Sequence, residues 1–90
     1  MNADEARAKV VEAVKRTAGG TVTDDSQLEN DLGLDWLDRV ELVMVIEYEL
    51  GIVVTSEEMD SLKTVGDLVK LAQAQVELRE AAEARGKTAP

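Results

Sequence analysis

Cysteine, histidine and phenylalanine are missing from this chain of 90 residues, and tryptophan and tyrosine occur once each, as Trp36 and Tyr48. Without Cys and His there can be no disulfides, no thiolate chemistry, no zinc site of the Cys/His type and no Ser-His or Cys-His catalytic arrangement. Without Phe, the core has to be aliphatic, assembled from Val, Leu, Ile, Met and Ala. Basic charge is scarce as well. Ten Lys and Arg face nineteen Asp and Glu, for a net charge of -9, which argues against nucleic acid as a partner. No apolar run approaches the length of a membrane span. Met1-Asn-Ala-Asp-Glu5 opens on acids rather than on the apolar stretch of a secretory signal, so a cytoplasmic protein is the expectation. At 44% apolar and 32% charged residues, the composition fits a single globular domain over 1–90. Its core is expected over about 4–75, with a helical extension and frayed tail over about 76–90.

The charge is unevenly spread. Residues 1–20 carry four basic groups against three acidic, and residues 61–90 carry five against four. Between them, residues 21–60 hold twelve acids and Arg39 alone. A field concentrated in this way steers basic partners and works against self-association, so a monomer is expected. An acidic surface that is merely solvated would give the same count. Added salt, or a divalent cation shared by side chains such as Asp31, Asp35 and Asp38, is expected to raise the melting temperature by relieving the repulsion among these acids, without requiring a built metal site.

Helix signals dominate the chain. Ala6, Val10, Ala13 and Val14 recur at helical spacing within Asp4 to about Thr17, and Gly19-Gly20 closes that segment. A long polar connection follows to Leu34, with Val22, Leu28 and Leu32 as its expected anchors on the core. The next helix is predicted from Trp36 to about Leu50, with Asp35 as its N-cap and Gly51 as its stop. Leu37, Val40, Met44 and Leu50, with Val43 and Ile46 beside them, form its apolar stripe, and Asp38, Glu41, Glu47 and Glu49 lie mostly on the other side. Ile52-Val53-Val54 reads as an extended link that buries one or two side chains. Thr55-Ser-Glu-Glu58 has capping-box spacing and opens a short helix ending near Ser61. Thr64-Val-Gly-Asp67 repeats the pattern before a last helix whose buried face is Val65, Leu68, Val69 and Ala72. Beyond Gln73 the pattern thins, and the helix is expected to project into solvent as far as Gly86, with 87–90 frayed.

This order of elements describes an all-α, four-helix antiparallel bundle with a long first loop and a short third helix. The stretch Asp31-Leu-Gly-Leu-Asp-Trp-Leu-Asp-Arg-Val-Glu-Leu-Val-Met-Val-Ile-Glu-Tyr-Glu-Leu-Gly-Ile52 closely resembles the signature of acyl carrier proteins, and Thr64-Val-Gly-Asp-Leu-Val69 resembles the start of their last helix. The resemblance implies the family's four-helix bundle and its role in carrying acyl intermediates of fatty-acid or polyketide synthesis. In the family these travel on a 4'-phosphopantetheine arm attached to the serine of an Asp-Ser-Leu triplet at the start of the second helix. There, free N–H groups and the positive end of the dipole favour a phosphodiester. This chain reads Asp35-Trp36-Leu37. Indole has no nucleophilic oxygen, so the resemblance implies a carrier-type fold with its phosphopantetheine position lost and no cofactor as written.

Three readings of Trp36 compete on the sequence. In the first the protein is a non-catalytic docking partner for pathway enzymes. In the second it is an ordinary phosphopantetheine-dependent carrier present as a serine-to-tryptophan variant at position 36. In the third Trp36 is a structural residue of a divergent bundle, a weak reading because the first position of an exposed helix start is not a core site. The resemblance places partner binding on Asp35, Trp36, Leu37, Asp38, Glu41, Met44 and Glu47, facing basic patches on a ketosynthase, an acyltransferase or a phosphopantetheinyl transferase. Tyr48 stands where many members carry another acid. Neither a glycine-rich phosphate loop nor a calcium loop accompanies the acids, so no enzyme and no metal site is expected.

Overall fold

Each helix begins where a polar side chain supplies the acceptor that its first N–H groups lack. In this computed structural model, which describes residues 1–88 with side chains as far as Ala84, α1 spans Ala3–Ala18, α2 Trp36–Leu50, α3 Ser56–Ser61 and α4 Val65–Thr88. Asn2 caps α1 by accepting the Glu5 N–H at 2.8 Å. The other three helices open with reciprocal boxes: Asp35 with Asp38 for α2, Thr55 with Glu58 for α3, and Thr64 with Asp67 for α4. Losing such a cap typically costs ~1 kcal/mol. Gly51 ends α2 in the left-handed region, φ 67 and ψ 38, and returns its N–H to the Glu47 carbonyl.

The helix positions follow the sequence reading, with two changes at the ends. The Asn2 cap starts α1 at Ala3. α4 continues through Gly86 to Thr88, because one helical Gly costs only about 1 kcal/mol relative to Ala. Of the expected frayed tail, 87 and 88 are therefore helical, and 89–90 lie outside the described residues.

Packing joins α1 to both α4 and α2. One aliphatic cluster fills the centre: Ala6, Val10, Ala13 and Val14 from α1, Leu42, Val43, Ile46 and Leu50 from α2, and Val65, Leu68, Val69, Ala72 and Val76 from α4. No polar side chain is buried with them among the described residues. The long connection is held down by Leu28 and Leu34, both buried, while Val22 and Leu32 are only half-buried. Its backbone is stitched to the start of α4, with Leu28 N–H on the Lys63 carbonyl and Val65 N–H on the Ser26 carbonyl. Gly66 donates to the Asp24 carbonyl at 2.8 Å, an approach so close that a Cβ on Gly66 would lie 3.1 Å from that oxygen.

Two expectations about packing are corrected. Leu37 and Met44, assigned by spacing to the apolar stripe of α2, are 57% and 60% exposed, and Leu42 takes the core position instead. α2 is apolar on two faces, and α1 covers only one. The stretch after Gln73 does not leave the body of the protein at once. Val76 is fully buried, Arg79 donates to the Leu50 and Gly51 carbonyls, and Glu80 pairs with the N-terminal ammonium at 3.3 Å. From Ala81 to Ala84 the side chains are exposed.

Candidate functional site

At the start of α2, Asp35 and Asp38 use their carboxylates on each other's backbone. Asp35 Oδ1 accepts the Asp38 N–H at 2.8 Å, and Asp38 Oδ2 accepts the Asp35 N–H at 3.3 Å. The box fixes the direction in which the helix leaves the long connection. It also presents the first two helical side chains, Trp36 and Leu37, to solvent at 63% and 57% exposure. Trp36 lies on the rim of an apolar groove of about 230 Å³ between α2 and α3, whose lining includes Val40, Val43, Met44, Val54 and Met59.

From Leu37 the outer face of α2 runs through Glu41, Met44 and Tyr48, at steps of four, three and four residues that stack on one side of a helix. Met44 and Tyr48 are 60% and 89% exposed, so this ridge is largely apolar with one carboxylate set in it. Met is suited to such a place because its flexible thioether adapts to different surfaces.

The neighbouring acids are mostly engaged within the chain. Glu47 Oε2 accepts the Val54 N–H at 2.9 Å across the mouth of the groove. Glu49 is paired with Arg16 at 3.0 Å. Asp31 Oδ2 accepts the Gln27 N–H at 2.7 Å, so Asp31, Asp35 and Asp38 are each tied to local backbone. Among the described residues no group of three acidic side chains is placed to hold a metal ion. Glu41 makes no hydrogen bond or ion pair among the described residues and is the carboxylate that α2 offers outward. Two acids outside this face are held in the charged form. Asp67 is shifted below the ordinary aspartate range by the N–H groups of Thr64 and Lys63, and Asp24 is shifted the same way by its hydrogen bond from Arg7.

The candidate site therefore consists of a helix start, an apolar groove beside it and an exposed ridge. Asp35-Trp36-Leu37 supplies no hydroxyl at the helix start, so these residues do not fit a group attached there through a side-chain hydroxyl. The family model described as the phosphopantetheine attachment site matches residues 6–72. The chain belongs to the acyl carrier protein family. It is 40% identical over 77 residues to the acyl carrier protein of Prochlorococcus marinus, an alignment covering 82% of this chain and 96% of that one. The solved acyl carrier protein of Enterococcus faecalis superposes with a TM-score of 0.73 at 26% identity, covering 83% of this chain and 99% of the other. That of Thermotoga maritima superposes at 0.70 with 29% identity, covering 86% and 93%.

Acyl carrier proteins are non-catalytic carriers, and this member is likewise no enzyme. Among the described residues, no helix is long and apolar enough to cross a membrane. The groove wall supplied by Val54 and Met59 escaped the sequence reading, because residues on different elements carry no mutual periodicity. The contacts of Arg79 and Gln75 to the link after α2 escaped it for the same reason.

Proposed function

We propose that this acyl carrier protein acts as a docking partner for fatty-acid or polyketide-type biosynthetic enzymes and carries no phosphopantetheine. Trp36 is the observation that carries the reading. It occupies the first position of α2 behind the Asp35–Asp38 box, where the family resemblance places the arm-bearing serine, and indole cannot form the phosphodiester. In the family the arm leaves this point and enters a partner's tunnel. An exposed indole here is placed to cap such a mouth, and tryptophan is over-represented among the residues that dominate interface energetics. The docking face is Asp35, Trp36, Leu37, Asp38, Glu41, Met44 and Glu47. Within it Leu37 and Met44 make apolar contact, Glu41 meets a basic side chain, and Asp35, Asp38 and Glu47 keep the face in shape. Partners of this kind include a ketosynthase, an acyltransferase or a phosphopantetheinyl transferase.

Intact-mass measurement tests the reading. After incubation with coenzyme A and a broad-specificity phosphopantetheinyl transferase, the mass should be unchanged, whereas Trp36→Ser should gain the arm. A mass gain on the unaltered protein would overturn the proposal. Failure of Trp36→Ser to be modified would show that Leu37, Asp38 and the rest of α2 do not form the transferase's docking surface.

A further inference from the structure

The last turn of any α-helix leaves carbonyls without intrahelical partners, and at the end of α2 the last of these, on Leu50, is answered from α4. Arg79 Nη1 donates to the Leu50 carbonyl at 2.6 Å and to the Gly51 carbonyl at 3.1 Å. One helical turn earlier on the same face, Gln75 Nε2 donates to the Val53 carbonyl at 3.2 Å. On its opposite side the same link is held by α2, with Glu47 accepting from the Ile52 N–H through its carbonyl and from the Val54 N–H through Oε2. Val54 is a wall of the groove that Trp36 rims.

Gly51 completes the arrangement. A Cβ there would lie 2.7 Å from Arg79 Nη1, so the guanidinium occupies the space that any other residue would fill. Among the described residues Arg79 enters no ion pair, and its charge is directed at the negative end of α2, where a cation is favoured. Both Gln75 and Arg79 lie beyond the residues 6–72 matched by the family model.

We propose that Arg79, assisted by Gln75, is a positioning residue for the α2–α3 groove. The extension of α4 clamps the link 51–54 and so sets where the Val54 wall stands relative to Trp36. This goes beyond the docking role and holds whether or not position 36 ever carries an arm.

The test compares the full chain with Arg79→Ala, Arg79→Lys and Glu80→Ala, the last removing the neighbouring contact to the N-terminus. Amide hydrogen exchange is followed at Ile52 and Val54 and at the core amides of Val10 and Val69, together with acrylamide quenching of Trp36. Arg79→Ala should speed exchange at Ile52 and Val54 by about tenfold, as expected when charge-assisted hydrogen bonds are lost from a segment that opens locally. It should also alter the quenching of Trp36 while leaving Val10 and Val69 unchanged. Arg79→Lys should recover part of the protection, because an ammonium can still donate to both carbonyls, and Glu80→Ala should resemble the unaltered chain. Three results would overturn the proposal: unchanged exchange at the link and unchanged Trp36 quenching in Arg79→Ala, equal acceleration of all four amides, or the same local effect from Glu80→Ala.

Discussion

Replacing Trp36 by Ala separates a docking residue from a structural one, because the two roles predict different ratios of lost affinity to lost stability. The indole is 63% exposed, so roughly a third of its surface rests on the groove. Full burial of an aromatic side chain removes ~150–250 Å² from water, and a third of that, at ~25 cal/mol per Å², is ~1–2 kcal/mol. Contacts already present in the unfolded chain reduce such figures by ~10–40%, and Ala offsets a few tenths more, on the order of 0.5 kcal/mol, through its higher helix propensity. The expected loss of stability is therefore about 1 kcal/mol, a fall of roughly 4–8 °C in Tm for a domain of this size. Ile46, fully buried in the same helix, provides the scale, since Ile46→Ala should cost ~2–5 kcal/mol. Truncation of an interface tryptophan typically costs ~2 kcal/mol or more of binding free energy, about thirtyfold in Kd. Thermal melts and calorimetric titration against a ketosynthase or acyltransferase measure both quantities. In the unaltered protein, emission from the lone tryptophan should shift to the blue and resist quenching on binding. If Trp36→Ala melts as early as Ile46→Ala, or binds with unchanged Kd, the docking role of Trp36 is refuted.

Two further expectations follow from individual charges. Glu41→Lys should weaken docking chiefly by slowing association, with the effect shrinking as salt screens exposed charges over about 8–10 Å. Glu49→Lys changes the charge by the same two units but should slow association less, because Glu49 lies outside the proposed docking face, paired with Arg16, and surface-plasmon kinetics at two ionic strengths would expose equal slowing if the reasoning fails. The second concerns acid. The Thr64 and Lys63 N–H groups hold the Asp67 carboxyl below its ordinary range. Its contribution is thus fully present above the unfolded pKa of ~3.9 and is lost as pH falls through the lower folded value. Melts between neutral pH and pH 3 should show Asp67→Asn less stable near neutrality, with a shallower decline on acidification. A decline parallel to that of the unaltered chain would show that Asp67 does not link folding to protons.

Some features of this acyl carrier protein were legible in single residues and their near neighbours. The helix starts were among them, because a cap is chemistry within four positions: Asp35 before Trp36, and the Thr-x-x-acid boxes at Thr55 and Thr64, need no information from elsewhere in the chain. Gly51 as a stop was legible for the same reason, and so was the burial of one or two side chains from Ile52-Val53-Val54, but that Ile52 is the buried one came from the structure. The absence of a hydroxyl in Asp35-Trp36-Leu37 is written in the residues themselves.

Which apolar face of α2 turns inward was not legible, since Leu37–Val40–Met44 and Leu42–Val43–Ile46 both satisfy helical spacing. Only the packing of α1 against α2 buries the second set and leaves the first to form the exposed ridge. The acids behaved similarly. Glu41, Glu47 and Glu49 are alike in sequence, yet tertiary contacts give Glu47 to the Val54 N–H and Glu49 to Arg16, leaving Glu41 to face outward. Composition assigned the stretch after Gln73 to solvent, but Arg79 reaches the Leu50 carbonyl twenty-nine residues away in the chain. A contact between elements so far apart depends on how the helices pack, and local sequence carries no record of it.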